Sequence, residues 1–273
     1  VALIEAREHP VLGVGGGGFL DSYLRERERN SPVSVRDAHS VVLENLSELG
    51  VPGLLLFVGA IGAAAVGAAR VRRLGPDPAL LSTVALTAGA YWLAHASLDW
   101  FWPYPAVTAP VLALLGSACA PALGVAGSSP QGRGRRWLAA GVIVLAISSV
   151  PPFLSDRYVS DAYDEWRSDA SRAYDDLDRA QALNPLSVYP VLAEGAIARA
   201  NGDRARAIDA FRRAATKRPD EWAAHYNLAE LYARSSPRLA RRELAIAKRL
   251  NPYDLEVTAL EEKFAAQERG GRD

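Results

Sequence analysis

The groups best suited to proton chemistry in this chain cluster ahead of its first apolar stretch and in one later loop. His39 sits in Arg36-Asp37-Ala38-His39-Ser40, which runs straight into Val41-Val42-Leu43-Glu44 and on into residues able to enter a bilayer. Imidazole titrates nearest neutral pH of all side chains, so a histidine partly buried at the mouth of a membrane helix suits a general base or proton shuttle. Arg7 and Arg36 can hold an anion by charge-assisted, bidentate hydrogen bonds. Between them, Gly13-Val14-Gly15-Gly16-Gly17-Gly18 lets the backbone approach a ligand and turn its N–H groups, that of Gly15 included, towards negative charge. His95 and Asp99 add an ionisable pair near bilayer depth, where such groups are expensive and usually functional. Each also has a plainer use: a helix-start residue for His39, a flexible turn before a charged helix Leu20–Arg29 for the glycines, local capping for Asp99.

The elements that would position these groups are apolar helices. A formal net charge of +0 and a mean hydropathy of -0.01 suggest an ordinary soluble protein, but charges are nearly absent from long stretches before Asp156 and dense after it. Uncharged runs cover Leu49–Ala69, Pro78–Leu98, Trp100–Gly132 and Trp137–Ser155. Each can supply the ~20 residues that cross a ~30 Å hydrocarbon core, so four transmembrane helices are expected. Arg70, Arg72 and Arg73 follow the first run and Arg133, Arg135 and Arg136 precede the fourth, which puts both short loops in the cytoplasm. The segment before Leu49 and the segment after Ser155 then lie outside. Trp92, Trp100, Trp102 and Tyr104 crowd the outer ends of the second and third runs, at headgroup level. Cys119 is alone, which excludes a disulfide within the chain, and reads as a small packing residue. The chain opens Val-Ala-Leu-Ile and holds no Met, so it is expected to be a fragment of a longer one.

After Ser155 the pattern changes to Arg, Asp, Glu and Ala with apolar residues at helical spacing. Pro185, Pro219 and Pro252 recur at intervals of 34 and 33 residues, the period of a tetratricopeptide repeat. Counting back from each, three triples repeat: Ala173, Leu177, Ala180; Ala207, Phe211, Ala214; and Ala240, Leu244, Ala247. Gly195 and Ala229 occupy the small position where paired helices approach closely, while Asn201-Gly202-Asp203 and Ser235-Ser236-Pro237 supply turns. Stacked units of this kind form a solenoid with a concave face for peptides or proteins. Asp176-Leu177-Asp178 matches the D-x-D of metal-dependent transferases in form only, since Leu177 is a packing position in mid-helix; His225 reads as a scaffold residue.

Ala38-His39-Ser40-Val41-Val42-Leu43-Glu44-Asn45-Leu46-Ser47-Glu48-Leu49-Gly50 resembles the A-H-N/S-x-x-L-E-x-L-x-E-x-G stretch of the O-antigen ligase and polymerase superfamily. His9-Pro10 through Phe19 is similar to the Gly-rich outer-loop segment of that family. His95 to Val107 resembles the H-x-x-x-D-W-x-W-x-x-P-A-V element of members that carry tetratricopeptide repeats after the membrane part. The resemblance covers roughly Ala6 to Pro152 as the carboxy-terminal part of the transferase core. It implies further spans and outer arginines upstream, and an essential histidine, here His39, on the extracytoplasmic side. It also implies an undecaprenyl-pyrophosphate-linked glycan as donor and a hydroxyl as acceptor.

The expectation is therefore an all-α chain: residues 1–48 an extracytoplasmic segment, 49–155 four transmembrane helices, and 156–270 an extracytoplasmic tetratricopeptide-repeat solenoid. The whole would be a multi-pass protein of the cytoplasmic (inner) membrane. His39 is the catalytic candidate; Arg7, Gly15, Arg36 and Asp99 are the substrate-binding candidates. No metal or cofactor and no nucleic acid is expected. Partners would be the lipid-linked donor, the glycan acceptor, membrane lipids and a protein at the repeats. The alternative is a membrane-anchored repeat adaptor without catalysis, since the repeats by themselves ask only for an anchor.

Overall fold

The computed structural model describes residues 1–27, 37–99, 101–119 and 133–270, with side chains undescribed for 133–146, 268 and 270. The described residues are helical throughout, with no strand. They form two compact units, Val1–Arg136 and Trp137–Asp273.

In the first unit, helix α1 (Ala2–Glu8) and helix α2 (Phe19–Glu26) flank the glycine-rich segment, and helix α3 runs from Val41 to Val71. Ser40 caps α3, its Oγ accepting the Leu43 N–H at 3.4 Å. The helix breaks at Gly50, whose φ of 68° and ψ of -171° are open to a residue without Cβ, and Pro52 follows with no N–H to donate. A 3-10 turn (Arg72–Leu74) leads to helix α4 (Pro76–Ala96), started by Pro at its first position, and then to helix α5 (Pro105–Cys119). Val41–Leu74 and Pro76–Ala96 are both long and apolar enough to cross a membrane. They carry their large apolar side chains on the outside, as Leu55, Leu56 and Leu80 show. Helices α3, α4 and α5 meet through small residues: Ala68, Ala85 and Ala118 are fully buried, and a Cβ on Gly89 would lie 3.0 Å from Leu115. Cys119 packs at this seam, its thiol 2.9 Å from the Ala64 carbonyl. Of the third apolar run the described helix covers 15 residues, with Trp100 and residues 120–132 outside the described set.

The fourth run lies within helix α6 (Arg133–Glu165), which continues past Ser155 without a break and carries Pro151 and Pro152 inside it. The second unit then steps through α7 (Ala170–Leu183), α8 (Tyr189–Ala200), α9 (Arg204–Lys217), α10 (Trp222–Tyr232), α11 (Pro237–Leu250) and α12 (Leu255–Gly270). From α7 onward each helix packs on the next. All nine residues of the three sequence triples are buried, with Leu177 and Phe211 among the largest fully enclosed side chains. Gly195 allows this: a Cβ there would stand 2.8 Å from the Phe211 ring. Asp169, Asp203 and Asp254 cap α7, α9 and α12, and Gly202 turns at φ 77° between α8 and α9.

Candidate functional site

The break in α3 creates the site's frame. In an unbroken helix the Ser47 carbonyl would accept from Val51 N–H, and the Glu48 carbonyl would look to residue 52, where Pro has nothing to give. The glycine-rich segment fills both vacancies: Val14 N–H donates to Ser47 O at 2.9 Å and Gly15 N–H to Glu48 O at 3.0 Å. The Val51 N–H freed by the break donates in turn to Pro10 O at 2.8 Å. The two backbones touch. A Cβ on Gly13 would fall 2.2 Å from Glu48 O, and one on Gly50 would fall 2.5 Å from Val11 O. Gly15 therefore spends its own N–H on the helix. Gly16 and Gly17, exposed and in open space, make no hydrogen bond among the described residues and are the glycines whose N–H groups remain available.

His39 follows from the same helix start. It precedes the Ser40 cap and turns the chain with a φ of 51°, in the left-handed region that side chains other than Gly rarely adopt. The sequence suggested a partly buried imidazole. The ring is exposed instead, because the chain turns left-handed there, two residues before α3 begins, and it has no hydrogen bond or ion pair among the described residues. Beside it opens a cavity of about 320 Å³, with Ala2, Leu3, Phe19 and Leu43 as its apolar wall and Tyr23, Asp37 and His39 as its polar groups.

Glu44, one turn into α3, is only 6% exposed. Its Oε2 accepts from the Ala38 N–H and from the Trp102 indole N–H, each at 3.3 Å. The Trp102 carbonyl accepts from the Thr108 hydroxyl at 2.6 Å, which accepts from the Trp92 indole N–H at 3.1 Å. Val41, Trp92 and Ala96 form the apolar floor beneath. Sequence reasoning placed Glu44 in the family-like stretch and among the polar groups near His39, without assigning it a partner or a role.

The remaining candidates are less gathered. Arg7, in the last turn of α1, is exposed and unpaired among the described residues. Arg36 lies outside the described residues. His95 Nδ1 and Asp99 Oδ2 stand 3.9 Å apart, both about two-fifths exposed, and the His95 ring meets Phe101 edge-on with centroids 4.6 Å apart. In the second unit, Asp176 is buried against Arg179 at 2.8 Å while Asp178 is exposed, so the D-x-D carboxylates do not converge. His225 is a scaffold residue: its Nδ1 lies 2.6 Å from Glu243 Oε2 and its Nε2 3.1 Å from Pro219 O. Among the described residues no three His, Cys, Asp or Glu side chains are grouped to hold a metal.

Residues 1–58 match the family model for O-antigen ligase. The match supports the O-antigen ligase superfamily for this segment, and with the two apolar helices it indicates a membrane protein. It takes in Arg7, the docked glycines, Arg36, His39 and Glu44, and ends inside α3, short of Asp99. No protein of curated function matches the chain.

Proposed function

We propose that the first unit is the carboxy-terminal part of a membrane glycosyltransferase of the O-antigen ligase type, moving an undecaprenyl-pyrophosphate-linked glycan onto an acceptor hydroxyl. The observation that carries this reading is an exposed His39, without a partner among the described residues, at the start of an apolar helix and beside a cavity, inside the stretch that matches the ligase family. His39 takes the proton of the acceptor hydroxyl as its oxygen attacks the anomeric carbon. The bond from that carbon to the pyrophosphate oxygen breaks, and the pyrophosphate leaves with its negative charge met by Arg7, Arg36 and the free N–H groups of Gly16 and Gly17. Asp99 borders the same outer face in this reading and contacts acceptor or donor sugar.

The same proposal takes the chain as four spans in the cytoplasmic membrane with residues 1–48 and 156–270 outside. It reads residues 156–270 as three tetratricopeptide units that hold a protein partner. The burial of all three repeated triples and the fit of Gly195 against Phe211 support the repeat reading. The test is His39→Ala in the longest natural reading frame, reconstituted with lipid-linked donor and acceptor. Transfer should drop by roughly 10²–10⁴-fold, the usual worth of a general base, with expression and donor binding intact. Transfer at the parental rate would remove His39 from catalysis.

A further inference from the structure

We infer that Glu44 is a positioning residue, a latch that holds the His39 turn to the 101–108 loop through one carboxylate oxygen. The inference rests on the His39 reading only for its consequence in catalysis; the latch itself stands on geometry. His39 is held at φ 51°, a conformation that persists only where the surroundings over-determine it. Among the described residues the ring has no partner and adds no restraint of its own, being exposed. The restraint comes from both neighbours along the chain. Ser40 on one side caps α3, and on the other side the Ala38 N–H is bound by Glu44 Oε2 at 3.3 Å. The same oxygen holds the indole of Trp102, a residue 58 positions further along the chain. Trp102 is itself fixed through its carbonyl by Thr108, and Thr108 by Trp92 on α4. A continuous line of hydrogen bonds thus runs from α4 to the peptide N–H next to His39, above the apolar floor of Val41, Trp92 and Ala96. A nearly buried carboxylate with two N–H donors on one oxygen is expensive to leave half-satisfied, so loss of either donor is felt by the other. Catalytic geometry depends on such supporting groups to within fractions of an ångström.

The experiment uses the longest natural reading frame in lipid nanodiscs and reads two quantities. The first is amide hydrogen exchange of peptides covering residues 37–44 for the parent, Glu44→Ala, Glu44→Gln and Trp102→Phe. The latch requires Glu44→Ala to speed exchange at Ala38 by about tenfold, Glu44→Gln, which keeps an acceptor oxygen, to stay within about twofold of the parent, and Trp102→Phe to fall between them. Trp102→Phe removes the N–H donor together with the pyrrole half of the indole and keeps a phenyl ring, and Glu44→Gln, which keeps the side-chain volume, separates the latch from general unfolding. A parental Ala38 amide that exchanges as fast as an unstructured peptide, or no response to Trp102→Phe, overturns the latch. The second quantity is glycan transfer, where Glu44→Ala should lower kcat roughly tenfold with KM within about twofold, and Glu44→Gln should restore it. An unchanged kcat despite faster exchange overturns the positioning role. A parent that transfers no glycan counts against the proposed function and leaves the exchange result to decide the latch.

Discussion

The two units of this chain are both helical, yet they are held by opposite means. In the second unit side chains interlock: Ala, Leu and Phe at repeated positions fill the seams between helices, and the carboxylates buried beside them are held by arginines. Buried Glu194 shows the style, accepting from Arg206 at 2.9 Å and Arg213 at 2.7 Å while Arg206 lies 3.5 Å over the Tyr174 ring. In the outer part of the first unit backbone meets backbone, and glycines at 13 and 50 are there because nothing larger fits. The apolar surface is also inverted, since the large aliphatic side chains of α3 and α4 face outward. Side-chain interdigitation spreads its stabilisation over many contacts, whereas backbone docking concentrates it in a few hydrogen bonds whose loss frees a whole segment.

Removing the keystone of each region tests that contrast. Phe211→Ala leaves a cavity at the centre of the second unit and should destabilise it by about 3–5 kcal/mol, read as a fall in the thermal midpoint of that unit. A loss under about 1 kcal/mol would mean that the repeats do not share a tight core. Gly13→Ala adds both a clash with Glu48 O and a strained φ, and should cost about 3 kcal/mol while releasing residues 10–18 to protease and to hydrogen exchange. Gly15→Ala has open space around it and pays only for its φ of 91°, about 1 kcal/mol, so equal effects at the two glycines would refute the docking account.

Gly195→Ala presses on the Phe211 ring and should cost about 1–3 kcal/mol, with Phe211→Leu in the same chain recovering part of it. Independence of the two substitutions would break the side-chain half of the comparison. The smallest expected effect is one of pH. Desolvation, with the charges of Glu230 and Glu256 nearby, pushes the Tyr226 hydroxyl up to about 12. The unfolded chain loses that proton from about pH 10 while the folded one keeps it, so the second unit should lose stability as pH rises from about 10 to 12 and show no such dependence below. Tyr226→Phe should flatten that slope in alkaline denaturation curves.

What could be read beforehand divides along the same line. The repeat triples were legible because side-chain packing leaves a periodic trace: Ala173, Leu177 and Ala180 share a helix face whatever surrounds them. The two long apolar helices were legible from composition. The docking of Gly13 on Gly50 was not, because it is a contact between backbones across more than thirty residues and leaves no periodicity. The glycine run could be read as a flexible turn or as an anion cradle, and it proves largely committed to α3, with Gly16 and Gly17 left over. His39 was singled out by residue type and setting, but its exposure goes with a left-handed turn that the sequence around it does not mark. Glu44 could be placed among the polar groups near His39 but given no role, because its meaning lies in Trp102, whose place beside it follows only from the packing of α4 and α5.

The broken turn of α3 also sets a depth. The carbonyls of Ser47 and Glu48 and the N–H of Val51 are satisfied only by an irregular loop, and such backbone does not survive exposed to hydrocarbon. Below the break, Val51 to Val71 spans about 31 Å at the rise of an α-helix, close to the ~30 Å of a bilayer core. Set in a bilayer, the helix could neither sink further nor rise without stranding polar groups or lifting apolar ones, and His39, eleven residues ahead of Gly50, would keep a fixed height relative to the lipid, as if by a stop on a rule.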